Sequence, residues 1–190
     1  MLNKGYYKRD YRTVNTNLVR HFSSALMNFE SKVVQLKDIP KLQEITKITF
    51  YSTYNNNLLS QEARDAIYKY LYNTEQLEQQ INSNYQFVFH YVNSQLFGYT
   101  GIEYNSSEDY CYLHDFYLLP SFRGQGLGHK LMDKVKEMAI EHHYKKIHLN
   151  CHQQNTARQF YEKQGFHFVK NLNTIFNGFD LLDMEMEFNF

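Results

Sequence analysis

Tryptophan is absent from this chain, and proline and cysteine nearly so, with two of each in 190 residues. Two cysteines, Cys111 and Cys151, cannot build the disulfide framework of a small secreted domain. Both fall in strand-like runs and read as small buried hydrophobes of a reducing compartment, so a cytoplasmic location is expected. No run approaches the roughly 18 apolar residues of a membrane span. Net charge is lacking too: 20 Lys and Arg offset 20 Asp and Glu. Whole-chain charge therefore gives no argument for a nucleic-acid or membrane partner, and neither is expected. The histidines show no zinc-site spacing with the cysteines, and His142-His143 falls at a helix end, where His is favoured anyway. No metal is expected. Internal repeats and low-complexity segments are also missing.

Aromatics are plentiful, with 17 Tyr and 15 Phe. The length suits one domain, or one domain with a tail. Charge is unevenly spread. Residues 1–26 hold Lys4, Lys8, Arg9, Arg12 and Arg20 against Asp10 alone, which leaves 15 basic and 19 acidic residues in 27–190, a net of −4. Residues 1–30 show no sustained period and lack the apolar core of a secretory signal. They share low acidity and a His-Phe-Ser-Ser run with transit peptides. The plainer expectation is a disordered leader, with Met27 as the biological start.

Periodicity divides the rest. Ser31 to Lys37 reads as a strand. A helix follows from an Asp38 cap to about Thr49, with Pro40 in its first turn. Phe50 to Asn57 reads as an aromatic loop. Ser60 and Thr74 open helices to about Tyr72 and Asn82. Tyr85–Val92, Gln95–Tyr104 and Tyr110–Leu119 are strands joined by short turns, an antiparallel meander. Gly98 inside the second suggests a bulge or a close approach. From Gly126 the period becomes 3.6, with Leu127, Leu131, Met132, Val135, Met138 and Ala139 on one face. Lys145 to Cys151 is the next strand, parallel to the Tyr110 strand by the length of the return. Asn155 caps another helix that Gly165 stops, Phe166 to Lys170 is a strand, and Leu182 to Phe190 alternates most regularly of all.

Between a strand and an amphipathic helix stands Leu119-Pro-Ser-Phe-Arg123-Gly124-Gln125-Gly126-Leu127-Gly128. Strand, glycine loop and helix aim several backbone N–H groups and a helix N-terminus at one point, which makes a seat for phosphate. Glycines allow close approach and positive φ, and Arg123 can add a charge-assisted contact. His129 follows Gly128, where a P-loop needs Lys and a dinucleotide fingerprint needs Gly. The remaining Arg-Gly-x-Gly-x-Gly resembles the acetyl-CoA pyrophosphate loop of the GNAT acetyltransferase superfamily. Downstream, Asn155-Thr-Ala-Arg-Gln-Phe-Tyr161-Glu-Lys-Gln-Gly165-Phe166 resembles the second signature of that family. The two occur in the family's order.

The resemblance implies an α/β (α+β) GNAT fold. Its mixed, mostly antiparallel sheet would have about seven strands, the fourth and fifth parallel and splayed, with about four helices. Residues 31–190 would form this domain. Acetyl-CoA would be the cosubstrate, its pantetheine arm lying between the splayed strands. Backbone groups of Phe116 and Leu118 would pair with that arm, and the Leu118 N–H would polarise the thioester carbonyl. The amides of Arg123, Gly124, Gln125, Gly126, Leu127 and Gly128 would cradle the pyrophosphate, and Asn155 would hold the arm from the other side. Tyr161 falls at the family's general-acid position, and a phenol is a credible proton donor to a thiolate. The Glu that many members carry on the fourth strand is missing from Tyr112-Leu113-His114-Asp115-Phe116. His114 is the first candidate base, since its ordinary pKa suits proton removal near neutrality and alternation puts it on the face of Phe116 and Leu118, with Asp115 opposite. Glu103 is a second candidate, through water. A plain hydrogen-bonded strand histidine stands beside both.

The wall from Phe50 to Asn82 would border the acceptor, with Phe50, Tyr51, Tyr54 and Glu103 as substrate contacts. Those aromatics read equally as core. The long helical segment and the ending Phe176-Asn-Gly-Phe-Asp-Leu-Leu-Asp-Met-Glu-Met resemble the Pai-type spermidine/spermine acetyltransferases. The leading expectation is acetyl transfer to a small-molecule amine, polyamines included, by a monomer or homodimer. Acetylation of a protein N-terminus or lysine is the alternative enzyme. A non-catalytic CoA-binding sensor is the alternative of another class. Mass spectrometry of the native N-terminus tests the leader: Met27 start predicts no peptide spanning Arg20 to Glu30.

Overall fold

The computed structural model describes residues 27–190. The expectations of a Met27 start and a disordered leader concern a segment outside the described residues. The strands are β1 (Phe29–Val33), β2 (Tyr85–Val92), β3 (Gln95–Tyr104), β4 (Tyr110–Leu118), β5 (Lys146–His152), β6 (His167–Phe176) and β7 (Phe179–Asn189). The α-helices are α1 (Ile39–Thr53), α2 (Gln61–Leu71), α3 (Thr74–Ile81), α4 (Leu127–Glu141) and α5 (Ala157–Lys163). All seven strands form one sheet in the order β1-β2-β3-β4-β5-β7-β6. Every neighbouring pair is antiparallel except β4 and β5, which run parallel. This is the mixed sheet expected from the sequence, with five α-helices where about four were expected.

Two helical layers cover opposite faces of the sheet. On one, α1 to α3 bury Leu42, Phe50, Ile67 and Leu77 against Phe87, Phe89 and Tyr99. On the other, α4 and α5 bury Met132, Val135 and Tyr161 against Ile147, Leu149 and Met186. Each such side chain contributes about 1.5–3 kcal/mol through apolar burial. The alternation of β7 matches its place between β5 and β6: Met184 and Met186 face the core while Asp183, Glu185 and Glu187 line the other face.

Several boundaries differ from expectation, each for a tertiary reason. Helix α1 runs on to Thr53, because Phe50, one turn after Thr46, is buried (2% exposed) under α2. Phe50 is therefore helical core and not loop. Strand β1 is earlier and shorter, since it pairs only along Phe29–Val33 with Val88–Val92. Strand β6 is twice its expected length. It turns back into β7 through Asn177-Gly178, both at positive φ (49° and 82°), the backbone of a tight two-residue hairpin. The expectation for Gly98 held in both senses: the β2–β3 register slips beside it, and a Cβ there would run into the carbonyl of Tyr117.

One buried polar group ties β1, β2 and β3 together. His90 is 2% exposed, with Nδ1 2.9 Å from Ser31 Oγ and Nε2 3.0 Å from Thr100 Oγ1. Burial holds its pKa down to about 3, and the charge of Lys134 pushes the same way. The folded ring is thus neutral where an unfolded one, with a pKa near 6.5, takes a proton. Its contribution is full above about pH 6.5 and is lost as pH falls toward 3, at up to about 1.4 kcal/mol per pH unit. Urea midpoints between pH 7 and pH 4 should fall less steeply in His90→Gln than in the parent.

Candidate active site

Strands β4 and β5 part company halfway along. Their ladder pairs Tyr110 to Leu113 with Lys146 to Leu149 and then stops. Each strand keeps its outer partner beyond that point: Asp115 to Leu118 pair with β3, and Asn150 to His152 with β7. The β5-facing edge of β4 from Asp115 to Leu118 is thus left without a strand. A cleft of about 750 Å³ opens there, lined on its floor by Phe116, Leu118, Asn150 and Cys151. The Phe116 ring sits where the ladder ends, packed on Phe160 at 5.5 Å and edge-on to Tyr161 at 6.0 Å.

The glycine loop forms the mouth. Gly124 and Gly126 hold φ of 74° and 80°, which glycine adopts at least cost, and Gly126 begins α4. Gly128 serves another end: a Cβ there would press on the Phe160 ring at 3.2 Å. All three line the cleft, as do Arg123, Asn155 and Tyr161. Arg123 reaches across to α1, donating to Leu118 O, Ser52 Oγ and Thr53 Oγ1 at 2.7–3.3 Å. Gln125 turns its amide to Ser121 O, and the Leu127 side chain is core. The Asn155 side chain accepts from the Ala157 N–H, the first amide of α5, at 2.9 Å, while the N-cap position is Thr156, one residue later than expected. Tyr161 is buried on α5, and burial pushes its phenol well above the usual value, so it holds its proton. Burial also pushes the Cys111 and Cys151 thiols up to about 12, which keeps both unreactive.

Strict alternation along β4 fails at a bulge. Gly101 pairs with Asp115 and Ile102 with Leu113, so His114 is the extra residue. The bulge corrects the expected faces. Phe116 and Leu118 pack toward α4 and α5, while His114 lies on the other face, stacked on Tyr85 at 5.2 Å and near Tyr112 at 4.6 Å. Asp115, expected opposite His114, turns to that same tyrosine. His114 Nε2 meets Glu103 Oε2 at 2.9 Å, so the two candidate bases form one pair. With Nε2–H donating to Glu103, Nδ1 is free to accept a proton.

Asp115 is 5% exposed and sits in a cage of tyrosines. Tyr72 donates to Oδ1 and Tyr85 to Oδ2, both at 2.6 Å, with Tyr99 at 3.4 Å. Burial raises its pKa, and the tyrosine donors together with His114 oppose the rise. Behind it lies a second cavity of about 200 Å³ between the sheet and α1 to α3. Asp115, Asp183, His152, Gln80, Phe50, Tyr72 and Tyr85 line it. His114, Tyr54, Tyr117 and Asn150 line both spaces, so the inner cavity adjoins the cleft. Of the aromatics expected beside the acceptor, Phe50 lines the inner cavity and Tyr54 lines both spaces. Tyr51 lines neither: its hydroxyl donates to Asp65 at 2.6 Å, outside both spaces. Sequence reasoning overlooked Gln80, His152 and Asp183, which share no local motif. Only the β5–β7 register, His152 opposite Asp183, unites two of them. Among the described residues no group of three His, Cys, Asp or Glu could hold a metal ion, and no helix is long and apolar enough to cross a membrane.

A cleft at the carboxyl ends of two parallel strands, faced by a glycine loop and a helix N-terminus, defines an α/β protein with the geometry of a seat for a phosphate-bearing ligand. Residues 54–188 match the family described as "Acetyltransferase (GNAT) domain", and the chain belongs to that family. An uncharacterized N-acetyltransferase of Archaeoglobus fulgidus is 43% identical over 53 residues, 27% of this chain and 36% of that protein. The match thus spans about a third of that relative's length. Among solved structures, the PaiA N-acetyltransferase of Thermoplasma acidophilum, crystallised with coenzyme A, aligns with a TM-score of 0.70 at 22% identity, over 86% of this chain and 99% of that one. The ribosomal-protein-S18-alanine N-acetyltransferase of Escherichia coli aligns at 0.64 with 14% identity, over 85% and 94%. At these identities the likeness is one of fold.

The cage carries a stability prediction. Asp115→Ala leaves three buried hydroxyls without their acceptor and should cost at least about 2 kcal/mol in urea unfolding. Asp115→Asn should cost less, since its carbonyl still accepts.

Proposed function

We propose that this chain is an acetyl-CoA-dependent N-acetyltransferase acting on a primary amine of a small molecule. One observation carries the reading: His114 borders both the cleft at the β4–β5 split and the inner cavity, and so stands between cosubstrate and acceptor. The cleft fits the cosubstrate. Its floor offers an unpaired strand edge, and its mouth offers glycine-loop amides at the start of a 15-residue helix. Backbone groups of Phe116 and Leu118 hold the pantetheine arm, the amides from Arg123 to Gly128 hold the pyrophosphate, and Asn155 closes the far side. Acetyl-CoA, when bound, supplies a thioester carbonyl as the electrophile.

The remaining chemistry belongs to the chain. His114, oriented by Glu103, takes a proton from the acceptor ammonium and frees its lone pair. The Leu118 N–H donates to the carbonyl oxygen as charge develops there. Tyr161 gives its proton to the departing sulfur as the C–N bond forms and the C–S bond breaks, and the second proton shed by the attacking nitrogen restores the phenol. Charge in the inner cavity suits a cationic amine, the class to which polyamines belong: Asp115 and Asp183 line it, and among the described residues no Lys or Arg does. A cavity of about 200 Å³ suits a small acceptor better than a peptide. Residues 31–190 form the catalytic domain, working in the cytoplasm as a monomer or homodimer.

A free-CoA release assay over a panel of amines tests the reading. Turnover with a small amine is the expected result, turnover with peptides alone favours a protein acetyltransferase, and tight acetyl-CoA binding without turnover favours a sensor. Tyr161→Phe should lower kcat about 100- to 10,000-fold with acetyl-CoA affinity retained; an unchanged kcat removes Tyr161 as the acid.

A further inference from the structure

Charge accounts for only part of the inner cavity. His152 is 2% exposed and lines it. Its Nδ1 accepts from the Gln154 N–H at 3.2 Å, which leaves the ring proton on Nε2. That Nε2 is buried and has no hydrogen-bond partner among the described residues. Burial lowers the pKa of this imidazole while the nearby Asp183 opposes the shift, so the ring is a neutral donor near pH 7. On α3, Gln80 Oε1 is likewise buried without a partner, and Gln80 lines the same cavity. Asp183 faces His152 across the β5–β7 ladder, and burial raises its carboxyl pKa. An unused donor thus stands beside a carboxylate and a second unused acceptor. Buried polar groups left unpaired are costly, so a ligand that completes them gains affinity and one that does not is rejected.

We propose that this cavity reads the non-reacting end of the acceptor and selects a group that both accepts and donates hydrogen bonds, a hydroxyl or primary carboxamide, with His152 Nε2–H donating to it and Asp183 accepting from it. The inference rests on the acetyl-transfer reading and narrows it. A terminal ammonium would meet Asp183 well, but it would face the positive end of the His152 N–H and leave that donor unmet. A terminal methyl group would leave all three polar groups unmet. His152 and Asp183 touch the acceptor tail and take no proton in the reaction, so they determine specificity.

The test compares butylamine, its terminal alcohol and its terminal diamine as acceptors for the full chain with saturating acetyl-CoA. The alcohol should have a kcat/KM at least about tenfold above the alkylamine and above the diamine. In His152→Leu the ratio of alcohol to alkylamine should fall to about one, and His152→Gln, which keeps an N–H donor, should restore part of it. Equal turnover of the three amines, or a lead for the diamine, overturns the inference and leaves the acetyl-transfer reading standing. An unchanged ratio in a folded His152→Leu overturns it as well. No turnover of any amine sinks the acetyl-transfer reading, and this inference with it. Should the variants fail to fold, the three amines on the parent protein still decide.

Discussion

Everything at this site depends on two parallel strands that stop pairing after four residues. Backbone N–H and C=O groups inside a protein need partners, and a split sheet leaves a row of them without any. The split is tolerable because each strand is secured on its other side: β4 pairs with β3 along its length, and β5 with β7. Aromatic packing of Phe116 against Phe160 and Tyr161 fills the space where the ladder ends. The free edge is thereby held open, with hydrogen-bonding groups directed into the cleft. The glycine loop adds its amides at the same opening, since α4 begins there.

A second consequence follows from the bulge at His114. One extra residue changes which side chains share a face of β4. Upstream, Cys111 and Leu113 go to the α4–α5 core; downstream, Phe116 and Leu118 go there. Two residues, His114 and Asp115, lie between Leu113 and Phe116 where alternation requires one, so regular alternation is broken once. The step delivers His114 and Asp115 together to the tyrosine-lined face. There Glu103 takes the imidazole, and three tyrosines take the carboxylate. Gly101 opposite the bulge makes room, since a Cβ there would strike both Asp115 and Tyr85. The aromatic wealth of the chain finds one use here: phenols supply donors to a buried charge while remaining core on their ring faces.

The glycine-loop half of the candidate site was legible because it is local. Loop, cap and helix from Arg123 to Gly128, and again from Asn155 to Tyr161, are contiguous stretches whose chemistry is written in neighbouring residues. Strand pairing between residues 85 and 119 was legible for the same reason, as short turns fix which strands meet. The Asn177-Gly178 hairpin carried an equally local signal, a pair suited to positive φ, although alternation in β6 is too weak to suggest its full length. The inner cavity was not legible. Gln80 comes from α3, Asp115 from β4, His152 from β5 and Asp183 from β7, and no spacing along the chain relates them.

Sequence alone determined the family pattern, the order of strands and helices, and the glycine loop that opens α4, because each rests on periodicity or on backbone demands that glycine, asparagine and proline answer within a few residues. Tertiary structure decided which face His114 occupies, that Glu103 is its partner, and that Asp115 is enclosed by hydroxyls. A bulge and two registers set those contacts, and both arise from how strands far apart in the chain settle against one another.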